Sequence, residues 1–567
     1  MDKIAGYYLD INPHKRRPIN FQLYKYLYGG DLELLSEGGK VKKITSKKGI
    51  SVATAIKASN SGSVALFAPH KRGNTGVEGL AEEALKQLRN RNNLIAKYAP
   101  EGHLIDLAEY FTIVFGSDYL LTQCARVGLL FHHGDFPQNI REIIEDSLRE
   151  GKIRLVICTN TLSEGVNLPI KTIVIHSTKR FNPFVIGNYE SMKIRDLKNL
   201  VGRAGRAGKE TKGMVIIPHD DDFARIDELM RDRNIEPVKG QLYNIVNLIT
   251  SYLQKERMPI AADTLDLLSE QYLELLDSID ISMIDLLAAE VEIEQLDALV
   301  TQLISQTLSF YQANPNEKKT LTSLFELRVE KLKPIVERGE FAALKNSGAN
   351  IRLYEEINSK FDFTDEIWNL SFNALDDDWL SYLLDNGIFQ MSTFASYIEV
   401  FNKQNKCVIN GIEVKKAIVL WMNGSWYKEI AEELNLEIYQ ILRLISSVIS
   451  FNIQTVISTI IRLKEISDSD YVMPNSIVNW PSFLQHGINK QLQLDLIEMG
   501  LIDRVSVRAL GTYFDSVEYD YIDYNYLRAY LLHNGNEILN NIRPNLPAIS
   551  FEKLAVFIDR LNIREMF

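Results

Sequence analysis

The sequence predicts an α/β lobe built on a parallel sheet, followed by a mostly α-helical C-terminal region. Three observations carry this. Short β-branched runs bounded by turn residues recur at Ser63–Ala68, Val127–Phe131, Ile153–Cys158, Thr172–His176 and Gly213–Ile217, the signature of strands buried on both faces. Between them Glu78–Arg91 and Gln138–Glu150 have helical apolar spacing, so strands alternate with helices and the crossovers are right-handed. From about residue 226 the pattern turns helical, and Leu265–Leu303 repeats Leu and Ile at spacings of three and four with acids between them. That pattern fits packed helices with a solvated acidic face, or a protein-binding surface.

The chain has 567 residues, long enough for three or four domains, and 46% of them are apolar. The net charge of −11 argues against a general basic coat, although a local basic channel depends only on nearby charges. Cys124, Cys158 and Cys407 lie far apart without metal spacing, which points to a cytoplasmic chain without structural zinc. His132 and His133 are adjacent, and neighbouring strand residues face opposite ways, so no metal is expected there. No run of eighteen apolar residues occurs and the N-terminus lacks a signal-peptide core, so no membrane partner is expected. The organisation read from the chain is a lead-in segment (1–60), the α/β lobe (61–225), a helical domain (226–405), a second helical domain (406–470) and a last one (471–567). The lead-in holds Lys40, Lys42, Lys43, Lys47 and Lys48, either a solvated linker or a surface for nucleic acid or another lobe.

The densest chemistry is Asn199-Leu-Val-Gly-Arg-Ala-Gly-Arg206. Two arginines three residues apart among glycines can reach phosphate oxygens, because guanidinium forks bind phosphate bidentately and small residues let the backbone approach. Upstream, Cys158-Thr-Asn-Thr-Leu-Ser-Glu-Gly-Val-Asn-Leu-Pro169 follows one apolar run and precedes another. It therefore reads as a loop at a strand's carboxyl end, where open α/β sheets bind ligands.

These segments, with the block Phe131–Pro169, resemble motifs IVa, V and VI of superfamily 2 helicases, most closely the superkiller-like branch. The resemblance is specific over 125–217, weaker over 60–124 and weakest beyond 230. It implies a second RecA-like lobe, with Phe67 at the motif IV aromatic position. Arg206 would be the arginine finger, a contribution of roughly 10³–10⁵ in rate for such a residue, and Arg203 its partner. Gly202 and Gly205 would permit close approach. Asn199 stands where many relatives have Gln, and its shorter amide reaches less far. Thr159 and Thr161 resemble hydroxyls that bond the nucleic-acid backbone. Glu164, Gly165 and Asn167 resemble the segment linking nucleotide state to strand grip, and Gly134 and Asp135 the motif IVa loop near phosphate.

The same family carries in its first lobe a phosphate loop and an acidic Mg²⁺ box. No G-x-x-x-x-G-K-[ST] occurs here: Gly38-Gly39-Lys40 is followed by Val41, and Lys71-Arg72-Gly73-Asn74-Thr75-Gly76 lacks the ending. Asp376-Asp377-Asp378 follows no apolar strand and reads as an exposed loop or helix cap. The expectation is therefore the C-terminal half of an ATP-dependent helicase. ATP and Mg²⁺ would be held mainly by a partner lobe absent from this chain, carried by a separate polypeptide or by a missing N-terminal part, with a single strand of DNA or RNA as the other partner. The alternative is a non-catalytic binding scaffold. Anti-phage defence is a setting in which such a split helicase would be plausible.

Further on, Lys415–Leu434 reads as helix, glycine turn at Gly424, and helix, resembling the Leu-Trp-x-x-Gly segment of the family's helical domain. Trp421, Trp426 and Tyr427 are candidates to stack on bases, at about 1–3 kcal/mol each; Trp421 fits a core position equally. Residues 483–510 read as short helices joined by glycine turns.

Overall fold

The computed structural model describes residues 5–12, 17–25, 33–35, 41–44, 46–89, 95–159, 170–181, 189–204, 212–231, 240–266, 268–370, 373–468 and 471–563. The chain divides into two compact units. The first contains residues 1–236, Trp426–Glu429 and Asp495–Phe567; the second contains Pro237–Ser425 and Ile430–Leu494.

The first unit is built on a seven-stranded sheet. In chain order the strands are β1 (Ala5–Asn12), β2 (Arg17–Lys25), β3 (Glu33–Leu35), β4 (Val41–Lys43), β5 (Val64–Phe67), β6 (Leu129–His132), β7 (Leu155–Cys158), β8 (Thr172–Ile175), β9 (Lys179–Phe181), β10 (Tyr189–Ser191) and β11 (Lys212–Ile217). The sheet order is β2-β1-β11-β8-β5-β7-β6, while β3–β4 and β9–β10 form separate hairpins. The five strands from β11 to β6 are parallel, with Val64 opposite Leu155 on one side and Thr172 on the other. All five expected strands are there. β1 and β2 add an antiparallel edge beyond β11, with Ala5 opposite Ile217 and Asp10 opposite Lys212. The sequence reads this stretch as part of a lead-in segment, and the structure places two strands in it.

Each of β5, β6, β7 and β8 is buried along its whole length, which is why these strands read as continuous apolar runs and not as alternation. The flanking helices are α1 (Lys47–Ala58), α2 (Val77–Arg89), α3 (His103–Phe115), α4 (Leu120–Ala125), α5 (Gln138–Arg149), α6 (Ile194–Val201) and α7 (Asp220–Arg231). α2 buries Val77, Leu80, Ala81, Ala84, Leu85 and Leu88, and α5 buries Ile140, Ile143, Ile144 and Leu148. Both sets recur at three and four residues, so one face of each helix meets the sheet. Each large apolar side chain buried this way contributes about 1.5–3 kcal/mol.

The second unit is helical. Its longest regular helix, Pro315–Glu337, starts on a capping box between Asn314 and Glu317, with Pro315 in its first turn. Inside the unit the Arg328 guanidinium donates to both carboxylate oxygens of Asp280, at 2.7 and 2.6 Å. Asp376 accepts from the N–H groups of Asp378 and Trp379 and so caps the short helix Asp377–Leu380. One helix among the described residues, Ile438–Ser467, is long and apolar enough by length and composition to cross a membrane. It is a core helix of this unit, and Ile441, Ile445, Ile449, Ile457 and Ile460 are buried in the fold. Trp421 is also core: its indole N–H donates to the Leu484 carbonyl at 2.8 Å.

Gly487 lies against that indole with φ +65°, and a Cβ there would fall 2.4 Å from a ring carbon. Two penalties coincide, left-handed backbone and overlap with a rigid ring. Gly487→Ala is expected to destabilise the second unit by about 1–3 kcal/mol, measured as a lowered thermal midpoint of the full chain. An unchanged midpoint would refute the packing described.

Candidate nucleic-acid interface and arginine helix

Five parallel strands end on the same side of the sheet, so the loops that follow them share one edge. These loops are 68–76 after β5, 133–137 after β6, the segment from Thr159 after β7, 176–178 after β8 and 218–219 after β11. Carboxyl edges of open α/β sheets are where ligands bind.

The β5–α2 loop is unusually tight. Val77 N–H donates to the His70 carbonyl at 3.0 Å and Glu78 N–H to the Lys71 carbonyl at 3.2 Å. A Cβ on Gly76 would lie 2.2 Å from the Arg72 carbonyl oxygen, so only glycine allows this fold-back. The turn brings Lys71 and Arg72 to the loop after β6. Lys71 Nζ lies 2.5 Å from an Asp135 carboxylate oxygen, and the Arg72 guanidinium lies 3.7 Å from the other and 3.6 Å from Glu78. Burial opposes the charge on Asp135, but Lys71, His133 and Arg72 outweigh it and hold the carboxyl below its ordinary range. Burial raises Glu78, with Arg72 working against it. Lys48 of α1 donates to the Asn74 side chain at 2.6 Å.

The residues expected from the sequence fall as follows. Gly134 is exposed in the turn, and Asp135 beside it is buried. The Asp135 carboxylate faces two cations, Lys71 and Arg72. Thr159 is buried at the end of β7, its N–H 3.4 Å from the His132 carbonyl. Thr161, Glu164, Gly165, Asn167, Gly205 and Arg206 lie outside the described residues. On α6 the residues Ile194, Leu197, Leu200 and Val201 are buried, leaving Asn199 exposed. Gly202 caps this helix in right-handed conformation, and Arg203 follows, half-buried. His132 pairs with Glu145 at 3.2 Å, and His133 stacks on Phe136 at 4.2 Å.

Within the first unit, Tyr427 is buried and stacks on Phe115, ring centroids 5.5 Å apart, so that face is not open to a base. Trp426 is half-buried, and its ring has the guanidiniums of Arg504 and Arg508 at 5.1 and 5.4 Å. These two arginines, one turn apart on the helix Arg504–Ser516, were not picked out from the sequence, and neither were Lys71 and Arg72 as cations of a site. Adjacent basic residues directly after a buried strand, and basic residues four apart on a helix, are the signals that would have found them.

Burial pushes His133 and His176 down to about 3 from an ordinary 6.5. The folded lobe therefore excludes protons that the unfolded chain accepts. Their contribution is complete above about pH 6.5 and declines as the pH falls from there towards 3. Unfolding of the chain by urea at stepped pH should show this decline, and His176→Gln should make it shallower; an identical slope in that variant would contradict the assignment.

Residues 57–208 match the helicase conserved C-terminal domain. The chain is 32% identical over 125 residues to the ATP-dependent DNA helicase MER3 of Saccharomyces cerevisiae, covering 22% of this chain and 10% of that protein. It is 23% identical over 241 residues to the Hachiman protein HamB of Bacillus cereus, covering 38% and 21%. It is 35% identical over 97 residues to the ATP-dependent DNA helicase Hel308 of Aeropyrum pernix, covering 17% and 13%. The chain thus spans about a fifth or less of the length of these relatives, and the matched residues include the edge loops after β5, β6 and β8 and the arginine helix. Over residues 57–208 the chain is thus similar to the conserved C-terminal domain of helicases, and the relatives that it resembles over part of its length include ATP-dependent DNA helicases.

Proposed function

We propose that this chain is the arginine-bearing half of an ATP-driven helicase or translocase acting on a nucleic-acid single strand, with the nucleotide-gripping lobe supplied by another polypeptide. The observation that carries this reading is the sheet edge. In a chain of net charge −11 it gathers Lys48, Lys71 and Arg72, the turn at Gly134 and the hydroxyl-bearing end of β7, and the arginine helix lies in the excursion between β8 and β11 of the same sheet. Hydroxyls, backbone N–H groups and lysines bind phosphates without reading sequence, which suits a motor that must move along any strand.

Gly134, Thr159 and Thr161 would bond the strand's backbone, with Lys71 and Arg72 held towards it by Asp135. Arg504 and Arg508, fixed against Trp426, would add cations for the same strand. An exposed Asn199 and a half-buried Arg203 four residues apart suit the oxygens of a triphosphate, and Gly205 and Arg206 follow in sequence. ATP, when bound, supplies a phosphoanhydride bond whose hydrolysis releases free energy. Arg203 and Arg206 would neutralise charge building on the oxygens, Asn199 would orient water, and Gly202 and Gly205 would leave room. Glu164, Gly165 and Asn167 would transmit the loss of that contact to Thr159 and Thr161. Strand grip would then alternate with nucleotide state. Mg²⁺ would be held mainly by the other lobe. No G-x-x-x-x-G-K-[ST] segment occurs in these 567 residues, so the phosphate loop would come from outside them.

The test is reconstitution. The chain is mixed with a candidate polypeptide carrying a phosphate loop and an acidic box, and ATP hydrolysis is followed with and without an oligonucleotide. Strand-stimulated hydrolysis is expected, and Arg206→Ala should reduce kcat by roughly 10³-fold or more. Full activity in Arg206→Ala would leave the scaffold reading in its place. Lys71→Ala should weaken oligonucleotide binding and lower the slope of log affinity against log salt by about 1; an unaltered slope removes Lys71 from the interface.

A further inference from the structure

α1 makes a set of contacts that the helicase motifs do not account for. All but its last two residues precede the matched domain, which begins at residue 57, and the residue it reaches, Asp222, lies after the domain ends at 208. Ser46 caps α1 by accepting from the Gly49 N–H. That cap fixes the first turn, so Lys47 and Ser51, four residues apart, share a face.

From this face two rungs descend to the sheet edge. In the first, Lys47 Nζ donates to Asp222 Oδ2 at 2.5 Å. Asp222 Oδ1 accepts from both the N–H and the hydroxyl of Thr178, at 3.0 and 2.9 Å. The Thr178 carbonyl then accepts from the Met192 N–H at 2.8 Å. In the second, Ser51 Oγ lies 2.9 Å from His176 Nδ1 and 2.9 Å from His219 Nε2.

The positions of these partners give the arrangement its meaning. His176 and Thr178 stand where the chain leaves β8, and His219 and Asp222 where it leaves β11. The segment between Thr178 and β11 carries β9, β10, α6 and Arg203. Both rungs therefore close the base of this excursion, and the first ends two residues before α6. Burial opposes the charge on Asp222, yet Lys47 and Thr178 keep its carboxyl below the ordinary range, so it remains an acceptor. Apolar contact by Ile194, Leu197 and Leu200 attaches α6 to the lobe, but such contact is non-directional. Hydrogen bonds to a charged group are directional and fix register.

We infer that Lys47, Asp222 and Thr178 form a latch that positions the arginine helix on the sheet. They are positioning residues, acting through Thr178 and Met192 on α6. The consequence for ATP hydrolysis rests on the function proposed above, whereas the latch itself does not.

Amide hydrogen exchange of the full chain tests it, with Thr178→Val, Asp222→Asn and Thr178→Ser compared with the unaltered protein. The two disrupting variants should exchange about tenfold faster, or more, at Met192 and within Ile194–Val201. Exchange in β5, β6 and β7 should stay as before, and Thr178→Ser should restore protection. Unchanged exchange at Met192 and α6, equal acceleration across the whole sheet, or failure of Thr178→Ser to restore protection would overturn the latch. In the reconstituted ATPase, Thr178→Val should lower kcat at least about tenfold with little change in KM for the oligonucleotide. If the exchange result holds while the unaltered chain supports no ATPase with any first lobe, the latch stands and the proposed function falls.

Discussion

Parallel strand pairing is the constraint from which the rest of the first unit follows. Neighbouring parallel strands need a crossover long enough to return the chain to the starting side. The crossovers here are helices, they cover the sheet, and the strands become buried on both faces. The same requirement places every strand end on one side. The loops after β5, β6, β8 and β11, with Thr159 at the end of β7, share that side because of the topology, although they lie as far apart in sequence as Ala68 and His219. A sheet of mixed direction in this region would have scattered them over two edges.

Electrostatics then works within that geometry. The edge concentrates cations in an acidic chain, and each is accompanied by a counter-charge or an amide: Lys71 and Arg72 by Asp135, Lys47 by Asp222, Lys48 by Asn74. Pairing restricts the long lysine and arginine side chains, which are otherwise costly to order, and leaves them partly exposed. Lys71 and Lys47 keep 42% and 47% of their side-chain surface. That exposure leaves both ammonium groups in contact with solvent. Two aromatic stacks act similarly in the first unit, Phe115 on Tyr427 and the guanidiniums of Arg504 and Arg508 on Trp426.

In the second unit, chemistry gives way to packing. The helix Ile438–Ser467 buries Ile441, Ile445, Ile449, Ile457 and Ile460 in this unit and leaves Phe451 exposed. The indole N–H groups of Trp421 and Trp480 each find a carbonyl, at 2.8 and 2.7 Å, as a buried donor must. Gly487 exists to let one of those indoles sit close to the backbone.

The sequence by itself determined the strands of the parallel sheet, the helices α2 and α5, the N-cap at Asp376 and the arginine-bearing element. These rest on local rules, in which period, β-branching and capping act over a few residues. The antiparallel edge of β1 and β2 was not legible, because its pairing with β11 spans some two hundred residues and a lone strand pattern does not name its partner. Nor were α1 and its partners: Lys47 reads as one lysine in a basic run until the fold carries Asp222 to it across 175 residues. Tyr427 looked like an exposed aromatic after a glycine turn, and only packing against Phe115 made it core. Tertiary structure decided these because ion pairs, buried hydrogen bonds and ring contacts depend on distance in space, which sequence spacing encodes only within a single helix or strand.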